Sequence, residues 1–278
     1  MSATTSDVHE LIEPDGLEVL RWKLFEGHPL DVVVTTLHGG VSDGPYATLN
    51  LGLHVGDDEE AVLENRRRAA RAVGLQLDDL VFCNQTHRRD VALVDGSHRG
   101  RGARSLAGAI DGVDALATAT PSVGLVAMVA DCVPVVLYDP VAHVLAVVHA
   151  GWGGTVRKVA EAAVTTLAGL GSQPGDILAA IGPAIEADRY QVGDEVADAA
   201  RDAFGPATDL LVRPNGTGRW LFDLWAANRH TLLECGLRPE SIVTATEGSG
   251  ADRYFSYRAV RPCGRFAAVA VLHERPSA

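Results

Sequence analysis

The chain has 278 residues, with 24 Lys and Arg against 36 Asp and Glu, so its formal net charge is -12 at neutral pH. Such an acidic balance disfavours non-specific binding to nucleic acid, which needs clustered cations against the phosphates. No segment approaches the roughly 20 apolar residues that span a bilayer, and the four cysteines form no C-x-x-C pair. We therefore expect a cytoplasmic protein with reduced thiols and with no nucleic-acid or membrane partner.

The predicted elements follow one another in groups along the chain. Residues 31–58 are typical of a strand, a glycine-rich loop and a short second strand, and Gly74 ends a helix predicted over 59–73. Short runs rich in valine or alanine predict strands at 80–87, 90–95, 125–132, 133–139, 144–150 and 176–182. Further helices are predicted over 155–171, 194–205 and 221–236, and final strands at 241–247, 253–259 and 264–274.

This grouping argues against a doubly wound parallel sheet, in which strands and helices alternate strictly. We expect an α/β protein with mixed β-sheets and with helices packed outside them. No internal repeat and no linker rich in Pro, Gly or Ser divides the chain. The expected organisation is a flexible N-terminal segment over residues 1–18, followed by a single domain over residues 19–274.

The most informative stretch is residues 130–156, where one cysteine and one histidine flank an apolar hairpin sequence. An Asp-Pro dipeptide in its middle favours the first two positions of a turn. If a four-residue loop joins Tyr138 to His143, the same register places Cys132 directly opposite His149. Opposed residues share one face of a sheet, with Cβ atoms about 4.5–5.5 Å apart.

A cysteine beside a histidine has three ordinary interpretations: packed core residues, a thiolate nucleophile with its base, or two ligands of a metal. One more histidine would make a His₂Cys site with an open fourth position, which suits a catalytic metal. His87 ends a predicted strand before a charged turn and is the candidate third ligand. Cys132 and His149 are the candidate catalytic residues.

The sequence AGWGGT follows directly after this histidine and precedes a predicted helix. Glycine allows close approach of the backbone, and the free N–H groups at a helix start attract anions. We expect Gly153, Gly154 and Thr155 to form a phosphate site. Taken alone, the glycines would favour a simple tight turn.

Several motifs occur in order: HGGVSDGPYATLNLGLHVGDDEEAVLENR, NQTH, ADCVPVVLYDP, HAGWGGT, IGPAI with YQVGDEV, and YFSYR with CGRFA. Together they resemble the family first described as multicopper polyphenol oxidases or laccase-domain proteins, later as purine nucleoside phosphorylases, and also as peptidoglycan editing factors. The resemblance implies an α/β/β/α layered sandwich. It also implies a zinc ion bound by His87, Cys132 and His149.

The activity implied by this resemblance is phosphorolysis of adenosine, inosine and methylthioadenosine, with adenosine deamination as a further activity. The implied partners are purine nucleosides and phosphate. Zinc is the expected cofactor, and copper is the alternative metal. Deamination at the same centre is chemically reasonable, because zinc lowers the pKa of a bound water to about 7.

The chain departs from the family pattern where phosphate would be expected to bind. The family commonly has HAGWRG, whereas this chain has Gly153 in place of the arginine. We expect weaker phosphate affinity as a result, with Arg66 or Arg258 as candidates to replace the lost cation. Asn50 and Arg258 lie in family motifs and are candidates to line the substrate pocket; the alternative for each is a structural role.

Three other functions stay open on the sequence alone. Cys132 activated by His149 would give a cysteine hydrolase or amidase in peptidoglycan editing. A copper-dependent laccase is disfavoured, because multicopper sites need clustered histidines and the ten here include no H-x-H pair. A metal-stabilised nucleoside-binding module would retain nucleoside without turnover. The sequence does not predict the oligomeric state.

Overall fold

The computed structural model of the protein describes residues 7–245, 247–250 and 252–275. The α-helices in this part of the chain are α1 (Glu59–Arg71), α2 (Trp152–Val156), α3 (Val159–Gly169), α4 (Asp194–Phe204), α5 (Thr208–Leu211) and α6 (Leu224–Glu234). The strands are β1 (His9–Ile12), β2 (Val19–Trp22), β3 (Leu30–Thr35), β4 (Leu80–Asn84), β5 (Val91–Leu93), β6 (Ile110–Asp111), β7 (Ala115–Thr118), β8 (Gly124–Val129), β9 (Val133–Asp139), β10 (Val144–Ala150), β11 (Leu178–Ile181), β12 (Gln191–Gly193), β13 (Val212–Pro214), β14 (Arg219–Phe222), β15 (Ile242–Thr244) and β16 (Phe266–Leu272).

The strands form two large sheets and one small sheet. The seven-stranded sheet has the order β1-β2-β3-β16-β8-β4-β6, the six-stranded sheet β15-β11-β9-β10-β7-β5, and the small sheet β12-β14-β13. In the first large sheet β4 runs parallel to β6 and β8, and in the second β5 runs parallel to β7 and β11 to β15. Because both also contain antiparallel pairs, the prediction of mixed sheets is confirmed.

The two large sheets pack face to face, and helices cover their outer faces. The inner core joins side chains such as Leu125 of β8 and Val136 of β9. Outside the seven-stranded sheet, Ala69 of α1 packs in a cluster with Val126. Outside the six-stranded sheet, α3 packs against β7 and β10. These four layers form the expected α/β/β/α sandwich in a single domain. No helix in the described ranges is long and apolar enough to cross a membrane.

The N-terminal segment differs from the expectation. Strand β1 pairs antiparallel with β2, with His9 opposite Trp22. The imidazole of His9 is buried, and its Nε2 lies 2.9 Å from Oε1 of Glu247. The prediction of a flexible segment over residues 1–18 is therefore wrong for β1, whose ladder to β2 and buried histidine attach it to the sheet. Residues 1–6 lie outside the described part of the chain.

The hairpin strands β9 and β10 have the predicted bounds, but their register differs. Asp139 pairs with Val144, and His149 therefore lies opposite Pro134 instead of Cys132. The loop begins one residue later than expected, because Oδ1 of Asp139 accepts hydrogen bonds from the N–H groups of the two residues after Pro140. The pairing shifts by two residues, an even number, so the cysteine and the histidine still project from the same face.

Two further predictions about local structure are wrong. The strand expected at 253–259 is a series of turns, because Ser256 Oγ and the backbone N–H of Arg258 bind the carboxylate of Asp131. The helix expected over 155–171 is instead α2 and α3, which are separated at Lys158, a residue with a left-handed φ of 61°.

Candidate metal centre

His87, Cys132 and His149 come together at one end of the six-stranded sheet, and we call them the His-Cys-His cluster. Their ligand atoms all lie within 4.8 Å of one another. His149 belongs to β10, Cys132 immediately precedes β9, and His87 lies in the loop after β4. The two imidazole rings meet edge to face, with centroids 4.8 Å apart. Two imidazoles and one thiol at this spacing fit a single metal ion with an open coordination position.

Asp114 holds two members of this cluster in place. Its buried carboxylate accepts hydrogen bonds from the backbone N–H groups of Thr86 at 3.2 Å, His87 at 2.9 Å and Arg88 at 2.6 Å. These bonds stabilise the left-handed backbone of His87, which has a φ of 58°. The same carboxylate lies 2.8 Å from Nδ1 of His149. A carboxylate on Nδ1 leaves Nε2 as the metal-binding nitrogen, as is usual for histidine ligands.

The protonation of the cluster follows from burial and from these neighbours. Burial, and then the neighbouring His149, lowers the pKa of His87, which favours the neutral imidazole that binds metals. Burial also disfavours a charged His149, but Cys132 and Asp114 together outweigh it and raise the pKa of His149 to about 9. Burial opposes ionisation of Asp114, yet the hydrogen bond from His149 and those from the backbone hold its pKa below the usual range.

Gly151 leaves the space that the cluster occupies. A Cβ atom at this position would lie 2.3 Å from Nδ1 of His87 and 3.0 Å from Sγ of Cys132. Any side chain larger than hydrogen would therefore displace a ligand. The first glycine of AGWGGT thus serves close approach of the backbone to the cluster.

All three members of the cluster line one cavity of about 450 Å³. Tyr257 and Leu106 line it as well, and they are 45% and 44% exposed, so their apolar surfaces are available to a ligand. Cys83 is a further thiol in the cavity wall, but burial raises its pKa to about 12, which keeps it neutral and unreactive. The remaining lining residues are His54, Asn84, Gln85, Met128, Val129, Ala130 and Arg265.

Asn50, predicted to line the substrate pocket, is fully buried and fixes a loop. Its Nδ2 donates to the carboxylate of Asp57 at 2.9 Å, and its Oδ1 accepts hydrogen bonds from the backbone N–H groups of Gly52 and Arg265. Because its amide is used by the protein and has no exposed surface, the predicted contact with substrate is wrong. The hydrogen bonds of Asn50 instead give it the structural role that the sequence analysis named as the alternative.

Arg66, predicted as a phosphate ligand, is also fully buried. Its Nε donates to the carbonyl of Leu51, and its Nη1 donates to those of Gly102 and Ala103, at 2.7–2.8 Å. The guanidinium lies 3.9 Å from the centre of the Phe82 ring. It ties α1 to two loops and is not among the described residues that line the cavity of the cluster, so these contacts give it a structural role.

Arg258 is exposed, but the structure gives its side chain other contacts. Its Nη1 donates to the carbonyl of Gln191 at 3.0 Å, and the guanidinium lies 4.9 Å from the ring of Tyr190. Its backbone N–H binds the carboxylate of Asp131, which positions the segment beside Cys132. Arg258 is not among the described residues that line the cavity, and its role in binding phosphate stays a prediction.

The glycine-rich helix start was predicted to bind phosphate, and only one of its three residues reaches a cavity. Thr155 is buried, its N–H donates to the carbonyl of Gly151, and its hydroxyl accepts from Nδ2 of Asn228. A Cβ on Gly154 would meet the backbone carbonyl of Arg88 at 3.2 Å, so this glycine allows a close approach of two backbone segments. Thr155 thus has other partners for both its hydroxyl and its N–H, and phosphate binding at this helix start stays a prediction.

Gly153 borders a second cavity, of about 490 Å³, lined also by Arg88, Arg89, Asp90 and Arg157. A Cβ on Gly153 would lie 3.0 Å from Nη1 of Arg157. The guanidinium of Arg157 thus occupies the space that an arginine at position 153 would enter, and its Nη1 donates to the carbonyl of Gly153 at 2.9 Å. Arg157, and not Arg66 or Arg258, is the cation next to this glycine.

Sequence reasoning missed the residues that support the cluster and close the cavity. Asp114 stands before a strand of small apolar residues, and nothing local indicates that its carboxylate reaches His149, 35 positions along the chain. His54 lies in the motif LGLHVGDD and Arg265 in the motif CGRFA, and both motifs are shared with the laccase-domain family. Those motifs were the only signal that could have found the two residues.

A four-layered α/β/β/α sandwich with a His-Cys-His cluster in the wall of its cavity defines the class of protein. Comparison with known sequences identifies the family. The family described as multi-copper polyphenol oxidoreductase laccase matches residues 31–273. The chain belongs to this family.

Individual relatives are enzymes. A purine nucleoside phosphorylase, YlmD of Geobacillus stearothermophilus, is 40% identical over 230 residues, which cover 81% of this chain and 83% of the relative. Adenosine deaminase RL5, from an unknown prokaryotic organism, is 40% identical over 215 residues, 77% of this chain and 82% of the relative. The crystal structure of YlmD from Geobacillus stearothermophilus matches with a TM-score of 0.89 at 37% identity, covering 95% of this chain and 99% of that chain. The predicted fold class and the prediction of an enzyme are confirmed.

Proposed function

We propose that the protein is a cytoplasmic, zinc-dependent purine nucleoside phosphorylase acting on adenosine, inosine and methylthioadenosine. The observation that carries this proposal is the His-Cys-His cluster in the wall of a cavity of about 450 Å³. This volume lies within the range of about 300–1,000 Å³ that small-molecule sites usually have. The name of the relative YlmD, a purine nucleoside phosphorylase, supports the choice of reaction.

The donor set favours zinc over a multicopper centre. Catalytic zinc sites have three protein ligands, drawn from His, Cys and carboxylate side chains, and an open fourth position, which two imidazoles and one thiolate provide. Among the residues that the structure describes, this cluster is the only group of three or more His, Cys, Asp or Glu side chains placed to hold a metal. A multicopper oxidase needs several neighbouring copper sites, so the laccase alternative lacks ligands in the described part of the chain.

A bound zinc ion would supply Lewis-acid polarisation at the open position. The chain itself provides orientation, because Asp114 holds both the imidazole of His149 and the backbone of His87. Tyr257 and Leu106 offer aromatic and aliphatic surface against which a planar purine packs. In this proposal the nucleoside binds beside the cluster, against these two surfaces.

The reaction transfers a ribosyl group to phosphate. An oxygen of monohydrogen phosphate forms a bond to C1′ of the ribose, and the bond from C1′ to the purine nitrogen breaks. The electron pair of that bond leaves with the purine, which takes up the phosphate proton. The products are the free base and ribose 1-phosphate, or 5-methylthioribose 1-phosphate from methylthioadenosine. Holding phosphate next to C1′ is therefore the positional task of the site.

The experiment combines metal analysis of the purified protein with product analysis from inosine, adenosine and methylthioadenosine, with and without phosphate. We expect one zinc per chain and a free base that forms only with phosphate. Cys132→Ala should lose both metal and turnover, whereas Cys83→Ala, a thiol in the same cavity but outside the cluster, should keep both. Full metal occupancy and turnover in Cys132→Ala would disprove the proposal.

Adenosine deamination is a second candidate activity, favoured by the similarity to adenosine deaminase RL5 at 40% identity. Ammonia release from adenosine without phosphate, lost in Cys132→Ala, is the expected result. A cysteine hydrolase or amidase would instead require an unligated Cys132, so turnover that survives complete metal removal would favour it. Retention of nucleoside without any product would favour the binding module.

A further inference from the structure

The cavity beside the His-Cys-His cluster contains a guanidinium whose hydrogen-bonding capacity is only partly used. Arg265 donates from Nη1 to the carbonyl oxygens of Gly264 at 2.9 Å and Cys263 at 3.1 Å. In the described ranges, no acceptor lies within hydrogen-bond distance of its Nε or Nη2, and no carboxylate forms an ion pair with it. Two donor groups of Arg265 are therefore available to a ligand in the cavity.

The charge of the cavity wall is unusual for this protein. The chain carries a net charge of -12, yet none of the described residues that line this cavity is Asp or Glu. An unpaired guanidinium without a neighbouring carboxylate makes the cavity attractive to an anion. A ligand that neutralises the positive charge of Arg265 is therefore an anion.

His54 lies near Arg265 in the same wall. The side chain of His54 is exposed on one side; partial desolvation, and then the charges of Arg265 and Arg66, lowers its pKa to about 4. The imidazole is therefore neutral at neutral pH and offers one N–H donor without adding a second positive charge. A guanidinium and a neutral imidazole together present hydrogen-bond donors suited to several oxygens of one anion.

The second cavity, which borders Gly153, is less suited to an anion. Asp90 contributes a carboxylate to its wall. Two of its arginines already have partners: Nη2 of Arg89 lies 3.7 Å from Oε1 of Glu161, and Nη1 of Arg157 donates to the carbonyl of Gly153. Its arginines are exposed and therefore screened by solvent. The cavity of the His-Cys-His cluster combines the metal ligands and an unpaired cation in one space.

We propose that Arg265, assisted by His54, binds the phosphate that attacks the nucleoside. This inference rests on the proposed function and names the residues of its second substrate. A guanidinium binds phosphate oxygens in a planar, two-pronged arrangement, which fixes the orientation of the anion as well as its position. The phosphate would then share the cavity with the nucleoside and replace the Gly153–Thr155 site that the sequence predicted.

Arg265→Gln tests this assignment, with Arg261→Gln as the matched control. Both guanidinium groups lie over the ring of Tyr257, Arg261 at 4.3 Å and Arg265 at 5.5 Å from its centre. Unlike Arg265, Arg261 is not among the described residues that line the cavity. Loss of one charge-assisted partner should raise the phosphate KM by about 10- to 100-fold in Arg265→Gln. The inosine KM and the metal content should change little in either variant, and Arg261→Gln should keep the wild-type phosphate KM.

A second measurement guards against misfolding of the variant. Arg265→Lys keeps the positive charge and a donor for the carbonyls of Cys263 and Gly264, but it lacks the planar fork, so its phosphate KM should be intermediate. Inorganic phosphate alone should raise the melting temperature of the wild type and of Arg261→Gln, and should not raise that of Arg265→Gln. An unchanged phosphate KM in Arg265→Gln, or stabilisation of this variant by phosphate equal to that of the wild type, would overturn the assignment.

The two proposals fail in different ways. If the wild type releases no purine base but phosphate still stabilises it through Arg265, the phosphorylase function is wrong and the anion site stands. If inosine is cleaved with the same phosphate KM in Arg265→Gln as in the wild type, the anion site is wrong and the function stands.

Discussion

The carboxylate of Asp114 lies 2.8 Å from Nδ1 of His149, and the backbone carbonyl of the same residue accepts the N–H of His149 at 2.7 Å. One aspartate therefore fixes both the imidazole and the backbone of a candidate metal ligand. It acts through the ligands and does not itself reach the open position of the metal.

Asp114→Asn should weaken metal binding by about 10- to 100-fold, because an amide can no longer hold the ring nitrogens of His149 in the required tautomer. The measurement is a competition titration with a chelator of known affinity. Asp111→Asn is the matched control, since Asp111 lies nearby in the sequence and binds only the exposed Asn84 side chain. Equal metal affinity in the two variants would contradict the positioning role of Asp114.

Gly151→Ala should abolish metal binding with only a moderate loss of stability. Its Cβ would lie 2.3 Å from Nδ1 of His87, and the displaced loop would cost about 1–3 kcal/mol of overpacking. Gly169→Ala, at the end of α3, is the control, because a Cβ there meets nothing within 4 Å. Metal content and thermal melting of both variants provide the comparison; normal metal content in Gly151→Ala would be evidence against the proposed ligand set.

Metal affinity should rise with pH up to about 9. In the metal-free protein the pKa of His149 is raised to about 9, so below this value a proton occupies the nitrogen that the metal needs. The proton must leave on binding, and the apparent affinity should therefore increase by about ten-fold per pH unit as the pH rises towards 9, and then level off. Titrations at several pH values in weak buffer check both the slope and the released proton. A flat profile would show that His149 binds the metal without losing a proton.

Arg66→Met should destabilise the fold without changing the phosphate KM. The substitution leaves the buried carbonyls of Leu51, Gly102 and Ala103 without their donor, which should lower the free energy of unfolding by about 3 kcal/mol or more. Arg67→Met is the control, since Arg67 makes only a partly exposed ion pair with Glu64 worth about 0–1 kcal/mol. Urea unfolding and steady-state kinetics below the unfolding temperature separate the two effects; a raised phosphate KM in Arg66→Met would restore its predicted role.

Mixed sheets with helices packed outside them could be predicted from the sequence, because strands such as β9 and β10 are short apolar runs bounded by turn residues. The four-layered order was implied only by the family resemblance. The approach of Cys132 to His149 could also be predicted, since a shift of two residues in the hairpin leaves both side chains on the same face. The face from which a strand side chain projects depends only on its position in the alternating strand, so a short stretch of sequence is enough to predict it.

The surroundings of the site could not be predicted, because they depend on contacts between distant segments. Asn50 and Arg66 are polar residues in family motifs, and only the structure shows that their side chains are saturated by buried backbone groups. The segment at 253–259 has the composition of a strand, yet the carboxylate of Asp131 turns it. Asp114 joins three segments at once, which no single stretch of sequence indicates.

The hydrogen bonds of Asp114 have a consequence for how the protein acquires its metal. They fix His87 and His149 through the backbone and through the nitrogen that faces away from the ion, so the ligands are arranged without metal. The sandwich core is built from apolar side chains of the sheets and helices, none of which depends on the site. Unlike a zinc finger, which unfolds when chelated, this protein should remain folded as an apoprotein and exchange one ion for another in the native state.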